Sequence, residues 1–122
     1  MPSQKFTDVI VWQKAHQLVL AIYRLTHSLP RHEFFALGDQ MRRAIVSVPA
    51  NFAEGFKKRG RADKLRYYNI SQGSLEESRY YLILAGDLGY ADTAALLTSL
   101  EEVSRILDAY CDATLANAPR SC

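Results

Sequence analysis

Apolar residues recur every three or four positions along most of the chain, which is the spacing of helices that bury one face. In the first such run, Trp12, Ala15 and Val19 share one side, and Pro30 should end the helix because proline disfavours helical geometry in the residue before it. No stretch alternates apolar and polar residues as a β-strand would. The pattern predicts an all-α fold whose four helices span about residues 9–28, 33–56, 62–88 and 92–114.

Local signals add predictions to this pattern. Asp8 or Thr7 should cap the first helix, and Asp92 should cap the fourth. Pro49 lies inside the second helical pattern and removes one backbone hydrogen bond, so we expect a kink or a break there. Gly73 lies inside the third helix, where glycine is unfavourable, so we expect another backbone to approach it closely.

Four amphipathic helices with short connections are most economically packed as an antiparallel up-and-down four-helix bundle. The length of 122 residues fits a single domain, residues 1–122. With 48% apolar and 23% charged residues the composition is that of a folded globular chain. The apolar stretches are far too short to cross a bilayer, so no membrane association is expected. Cys111 and Cys122 fit free thiols of a reducing compartment, which predicts a cytoplasmic protein.

Charge is unevenly distributed along the chain although its net value is only +2. Residues 1–41 carry a net charge of +1, residues 42–66 carry +6 and residues 67–122 carry −5. Clustered cations followed by tyrosines favour a nucleic-acid partner, RNA or DNA, through phosphate contacts and base stacking. A solvated loop, or contact with an acidic protein surface, remains the alternative. The candidate phosphate-binding residues are Arg42, Arg43, Lys57, Lys58, Arg59, Arg61, Lys64 and Arg66.

Catalytic signatures are missing from the sequence, which has no glycine-rich phosphate loop, no HExxH and no GxSxG motif. His27 and His32 could meet across a turn as metal ligands, but solvated loop histidines are the simpler interpretation. The acidic residues of the fourth helix are interpreted as a solvated face. We therefore predict a protein that is not an enzyme and that holds no cofactor and no metal.

A row of polar residues follows one side of the second helix at helical spacing. It is either a solvated surface or an ordered network between subunits, because small and apolar residues flank it. Its members are Gln40, Arg43, Ser47, Asn51 and Glu54.

Four strings carry a family resemblance: VWQKA (residues 11–15), IYRLT (22–26), QMRRAIVSVPANFAEGFKKR (40–59) and YYNISQGSLEES (67–78). With them the chain resembles the 23S rRNA intervening-sequence proteins over residues 6–110. The resemblance implies a left-handed up-and-down four-helix bundle that assembles as a homopentamer in the bacterial cytoplasm, without known catalysis. The related accessory variability protein of diversity-generating retroelements binds nucleic acid and a reverse transcriptase. The matching positions are Arg42, Arg43, Ser47, Pro49, Asn51, Glu54, Gly55, Gly73, Ser74 and Glu77.

These observations predict a nucleic-acid or ribonucleoprotein interaction module, which could also contact a nucleic-acid-handling protein. The alternative is a homo-oligomeric protein-interaction scaffold that does not bind nucleic acid, and a weaker third hypothesis is a small-molecule or metal site in a central cavity of the assembly. The residues assigned to assembly or to a structural polar network are Arg43, Ser47, Asn51, Glu54 and Glu77.

Overall fold

In the computed structural model of the protein, the structure describes residues 5–116. The predicted domain ends, residues 1–4 and 117–122, lie outside this range, as does Cys122. Between residues 5 and 116 the chain forms helices and no strand, which confirms the all-α prediction. The four long helices are α1 (Ile10–Thr26), α2 (Leu37–Lys57), α3 (Arg61–Asp87) and α4 (Ala94–Ala116), and two short 3-10 turns span Phe6–Asp8 and Arg31–Glu33.

The four helices enclose one apolar core. Each helix packs against its neighbours in the chain, and α1 also packs against α4. The predicted apolar stripes face inward, and Ile45, Leu75 and Leu107 are fully buried. Near the C-terminal end of α2, the ring of Phe52 stacks on Tyr68 with 4.9 Å between centroids and meets Tyr110 edge-on at 5.2 Å. Aromatic packing therefore fills the core beneath the turn that joins α2 and α3.

Small residues let α2 and α3 approach each other closely. The Ser71 hydroxyl donates to the carbonyl of Val48 at 2.8 Å. At Gly55, an added Cβ would lie 2.8 Å from the Cβ of Tyr67. The glycine that permits close packing within the chain is thus Gly55 rather than Gly73. No atom of the described residues comes within 4 Å of a Cβ at Gly73, so the expected backbone approach there is wrong for the single chain.

The helix ends differ in part from the predictions. Val9 stands in the N-cap position of α1 and has no polar side-chain atom, whereas Thr7 and Asp8 belong to the preceding 3-10 turn. The first helix therefore has neither predicted cap. The prediction for the fourth helix is confirmed, since the Asp92 carboxylate accepts a hydrogen bond from the Ala94 N–H at 3.1 Å.

Four predicted helix boundaries differ from the structure by two residues or more. α4 spans Ala94–Ala116 rather than residues 92–114, and α1 ends at Thr26 rather than at residue 28. α2 begins at Leu37 rather than at residue 33. The late start of α2 has a local cause. The backbone around Glu33 forms a 3-10 turn, and the Glu33 carboxylate accepts a hydrogen bond from the Leu37 N–H at 3.4 Å. A glutamate thus caps α2 from outside the helix.

Pro49 does not break the second helix. α2 runs without interruption from Leu37 to Lys57, and Pro49 itself is buried. The neighbouring residues Val48 and Phe52 are anchored in the core, and such tertiary packing can hold a helix that lacks one backbone hydrogen bond.

None of the helices within residues 5–116 combines the length and the apolar character that crossing a membrane would require.

Candidate nucleic-acid interface

The turn between α2 and α3 collects most of the predicted cationic site. We call residues 57–66 the basic turn; it contains the last residue of α2, the connection and the first turns of α3. Gly60 stands in the N-cap position of α3 with no side-chain cap. Positive side chains are unfavourable at a helix N-terminus, and only Asp63 offsets them within that first turn. The predicted residues that meet here are Lys57, Lys58, Arg59, Arg61, Lys64 and Arg66.

Half of these cations are engaged with the protein itself. Lys64 donates from Nζ to the Phe56 carbonyl at 2.7 Å, and burial lowers the pKa of its ammonium group. Arg61 donates from Nη1 to the Leu115 carbonyl at 3.1 Å and so ties α3 to α4. The Nζ atom of Lys58 lies 3.9 Å from a carboxylate oxygen of Glu54. Lys64 and Arg61 therefore donate to carbonyl groups near the C-terminal ends of α2 and α4, and Lys58 pairs with a glutamate of α2.

The other three cations of the basic turn form no such contact within the described residues. Lys57, Arg59 and Arg66 are solvent-exposed, and none of them forms an ion pair with another residue of the 5–116 segment. The Arg66 guanidinium carbon lies 5.0 Å from the centroid of the Tyr67 ring, and the Lys58 ammonium lies 5.2 Å from the same ring. Tyr67 is therefore flanked by cations, an arrangement that suits an anionic ligand with a flat, stackable part.

Arg42 and Arg43 lie apart from the basic turn, near the start of α2. The Arg42 side chain is only 13% exposed, and its Nη2 atom donates to Asp39 at 2.6 Å and to the Phe34 carbonyl at 2.9 Å. Its guanidinium carbon also lies 4.3 Å from the centroid of the Phe34 ring. Arg42 therefore holds the α1–α2 connection, whereas Arg43 is exposed. The structure thus brings six of the eight predicted residues together and places these two elsewhere.

The polar row of α2 is divided between contacts within the chain and solvent. Asn51 Nδ2 donates to both the carbonyl and the hydroxyl of Ser47 at 2.8 Å, and the Ser74 hydroxyl donates to Ser47 Oγ at 2.8 Å. Ser47 and Asn51 therefore serve contacts within α2 and between α2 and α3. Gln40 and Arg43 remain exposed.

The two glutamates assigned to assembly also have partners in their own chain. Glu54 approaches Lys58, as described above, and remains exposed. Glu77 accepts a hydrogen bond from the hydroxyl of Tyr81 at 2.7 Å, which raises the pKa of that tyrosine. Each of the two glutamates therefore makes at least one polar contact within its own chain.

The acidic residues of α4 were interpreted as a solvated face, but several of them link helices. Glu102 pairs with Lys14 of α1 at 3.3 Å. Glu101 pairs with Arg79 of α3 at 2.9 Å. The hydrogen bonds of Arg79 to Glu76 and to Glu101 raise the pKa of its guanidinium. The sequence contained the charges but not their spatial order, since the partners lie far apart along the chain.

An apolar recess beside the basic turn was not found from the sequence. We call it the terminal recess; its volume is about 520 Å³, within the range of small-ligand sites. A second groove of about 340 Å³ continues between α1 and α2 and shares Phe6 and Ala53 with it. The terminal recess leaves no signal in the sequence pattern, because its walls come from residues 5–7 and 53–57, which lie far apart along the chain. Its lining consists of Lys5, Phe6, Thr7, Ala53, Phe56 and Lys57.

The histidines and the described cysteine form no metal cluster. No group of three or more potential ligands from His, Cys, Asp and Glu occurs between residues 5 and 116. His16 stacks on Trp12 with 5.0 Å between ring centroids, and His27 lies 5.3 Å from the ring of Phe34. Cys111 is buried and unpaired within the described part of the chain, and burial raises the pKa of its thiol to about 11.

Comparison with known proteins assigns the chain to a family. The chain is similar in fold to a crystal structure of a protein of unknown function from the S23 ribosomal protein family of Bacteroides thetaiotaomicron. The two share 23% identity with a TM-score of 0.78, over 84% of this chain and 98% of the other. No curated protein matches the sequence. The family model of the 23S rRNA-intervening sequence proteins matches residues 7–109, and the chain belongs to this family.

Proposed function

We propose that the protein is a non-enzymatic interaction module of the bacterial cytoplasm that binds nucleic acid, or a ribonucleoprotein, through the basic turn. The observation that carries this proposal is the exposure of Lys57, Arg59 and Arg66 without an ion pair inside the described chain. Of these cations, Arg66 lies beside the ring of Tyr67. Such cations gain most from phosphates, because each contact releases counterions from the nucleic acid. Both family names, which refer to 23S rRNA and to ribosomal protein, are consistent with an RNA partner.

The proposed assembly is a homopentamer of left-handed, antiparallel up-and-down bundles, as in the family that the sequence resembles. Antiparallel packing of α2 and α3 is supported by two contacts, since Phe56 meets Lys64 whereas the earlier Val48 meets the later Ser71. Association is supported by α3, which exposes 44% of Ile70 and 58% of Tyr80 on either side of the open Gly73. A ring would repeat the basic turn five times and so strengthen weak individual contacts.

The second candidate is a homo-oligomeric scaffold that binds no nucleic acid. The exposed apolar side chains of α3 favour it, because scattered apolar residues become an interface when they share one helix face. In this case the basic turn would contact an acidic protein surface, including the acidic side of a neighbouring copy. Salt would weaken both kinds of contact, so the nucleic acid itself must be the probe.

Fluorescence anisotropy with labelled single-stranded RNA, structured RNA and duplex DNA across a salt series tests the proposal. The variant reverses the three exposed cations, Lys57→Glu, Arg59→Glu and Arg66→Glu. We expect binding at physiological salt by the natural protein. In the variant, the slope of log affinity against log salt for single strands should fall by about two, since each phosphate contact contributes about 0.7.

A matched control makes the same change in charge elsewhere. Arg24, Arg31 and Arg105 are exposed and lie outside the basic turn, so their reversal to glutamate should leave most of the affinity in place. Equal losses in both triple variants would mean that net charge alone drives binding. If the natural protein binds none of the probes even at low salt, the scaffold becomes the better hypothesis. Sedimentation of each variant checks its oligomeric state.

A further inference from the structure

The terminal recess combines an apolar surface with positive charge. Its floor is apolar and carries the side chains of Ala53, Phe6 and Phe56. Its rim carries two lysines, Lys5 and Lys57, which are both exposed. No acidic residue lines it among the described residues. A ligand that fits this chemistry has a flat apolar part and at least one negative charge.

Two aromatic rings define the apolar part. Phe6 is half-buried and meets Trp12 edge-on, with 5.3 Å between the ring centroids. Phe56 is also half-buried, and the Lys64 ammonium lies 5.4 Å from its ring centroid. Both rings are therefore held in place by neighbours while they line the recess. Fixed aromatic rings of this kind bind nucleobases by stacking, whatever the identity of the base.

The position of the recess indicates which kind of anionic ligand can reach and enter it. Lys57 belongs both to the recess and to the basic turn, so a polyanion that follows the exposed cations reaches the mouth of the recess. A base inside a duplex is paired and stacked and cannot enter such a recess, whereas an unpaired base can. The recess volume of about 520 Å³ suits one such group rather than a folded protein segment.

We infer that the terminal recess takes one unpaired nucleotide, with its base between Phe6 and Phe56 and its phosphate at the ammonium groups of Lys5 and Lys57. This inference rests on the proposed function and deepens it, because it makes the protein a reader of single-stranded nucleic acid rather than of duplexes. The exposed cations of the basic turn then hold the neighbouring phosphates.

The chain contains a single tryptophan, which provides a direct signal. Trp12 lies against Phe6, so a base that enters the recess should change its fluorescence. The probes are an unstructured RNA strand, the same strand with abasic sugars, and a duplex of equal length. We expect the intact strand to bind about tenfold more tightly than the abasic strand, the value of one stacked base, and to be the only probe that alters Trp12 emission.

The variants separate stacking from charge. Phe6→Leu keeps an apolar side chain but removes the ring, so it should reduce the preference for the intact strand and leave abasic and duplex binding within about twofold. Phe6→Tyr restores a ring and should restore the preference, which guards against a folding defect. Phe35→Leu is the matched control, because Phe35 is exposed and belongs to the α1–α2 connection. It should change none of the affinities.

The lysine pair has its own control. Lys5→Gln with Lys57→Gln should weaken all three probes, whereas Lys14→Gln, which removes a lysine paired with Glu102, should not. Equal affinity for intact and abasic strands, or unchanged Trp12 emission during measurable binding, would overturn the inference while the proposed function stands. Absence of binding to every probe would overturn both.

Discussion

The two ends of the four-helix core differ in how many of their charged side chains are engaged within the chain. At the end formed by the α1–α2 and α3–α4 connections, the Tyr90 hydroxyl donates to Glu33 at 2.9 Å and Arg42 donates to the Phe34 carbonyl. These side chains hold one connection to the other or to its own helix. At the end with the basic turn, cations such as Lys57 and Arg59 are exposed and form no ion pair within the described chain. Charge that holds the backbone is not available to a ligand, so the basic turn is the better candidate for binding.

The largest contrast between the ends concerns two phenylalanines. Phe52 is 2% exposed within the aromatic cluster below the basic turn, whereas Phe35 at the opposite end is 78% exposed. Phe52→Ala should lower the free energy of unfolding by about 3–5 kcal/mol, because it leaves a cavity among rings that cannot close over it. Phe35→Ala should change it by less than about 0.5 kcal/mol. Urea denaturation followed by circular dichroism measures both, and equal losses would contradict the assigned burial.

Two glycines of α2 and α3 should respond with opposite signs. At Gly55 a Cβ would lie 2.9 Å from Cε1 of Tyr68 and 3.1 Å from the Lys64 carbonyl, so Gly55→Ala should cost about 1–3 kcal/mol through overpacking. At Gly73 the same atom has open space in the chain, so Gly73→Ala should stabilise by about 0.5–1 kcal/mol through better helix propensity. Thermal denaturation compares the two variants.

The result at Gly73 also reports on assembly. If Gly73→Ala destabilises the protein, or dissociates it in sedimentation experiments, a neighbouring copy must approach this glycine. The close approach that the sequence predicted would then occur between chains rather than within one.

The adjacent residues Arg42 and Arg43 of α2 should differ in their contributions to the free energy of unfolding. Arg42→Met should cost about 1–2 kcal/mol, because it removes charged hydrogen bonds to Asp39 and to the Phe34 carbonyl. Arg43→Met removes an exposed side chain and should cost less than about 0.5 kcal/mol. Guanidinium denaturation of the two variants measures the difference, and similar losses would mean that Arg43 has a structural partner in the assembly.

The smallest expected effect is the pH dependence of stability that the buried Cys111 causes, because it is confined to alkaline pH. Burial raises the pKa of its thiol to about 11, with Asp108 and Asp112 adding to the shift. Because an unfolded thiol releases its proton at lower pH, the unfolded state binds fewer protons above about pH 9, and stability should fall as the pH rises from there towards 11. Below pH 8 the thiol contributes no pH dependence.

Urea midpoints at pH 7.5, 9 and 10, for the natural protein and for Cys111→Ala, check this prediction. The variant should lose stability less steeply with rising pH than the natural protein does. The variant retains the buried Tyr68 and the half-buried Tyr110, whose pKa values are raised in the same direction, so part of the alkaline sensitivity should remain. Parallel curves would contradict a role for the thiol.

The helices could be predicted because their signal is local and periodic. The buried Ile45, Leu75 and Leu107 all lie on stripes visible in the sequence. The start of α2 could not be placed, since it depends on a carboxylate, that of Glu33, which acts from outside the helix. The role of Arg42 was missed for a related reason, because its partner Phe34 lies in a connection of no regular pattern.

The candidate site was predictable only as a cluster of charge. The sequence placed six cations in one turn, but it could not tell which of them the chain itself engages. The Lys64 ammonium donates a hydrogen bond to the Phe56 carbonyl near the end of α2. The Arg61 guanidinium donates to the Leu115 carbonyl of α4, which lies far away along the chain. The terminal recess was not predictable at all, because a concave surface depends on how Phe6 and Phe56 meet in three dimensions.

The serine and glycine contacts between α2 and α3 have a consequence for the order of folding. These two helices follow each other directly, and the short connection between them costs little loop-closure entropy. Their contacts, such as that of Ser71 with Val48, join residues close in sequence, whereas α1 and α4 must meet from distant parts of the chain. The α2–α3 pair should therefore form first and act as the nucleus on which the outer helices assemble. The basic turn would then take shape before the core that supports it is complete.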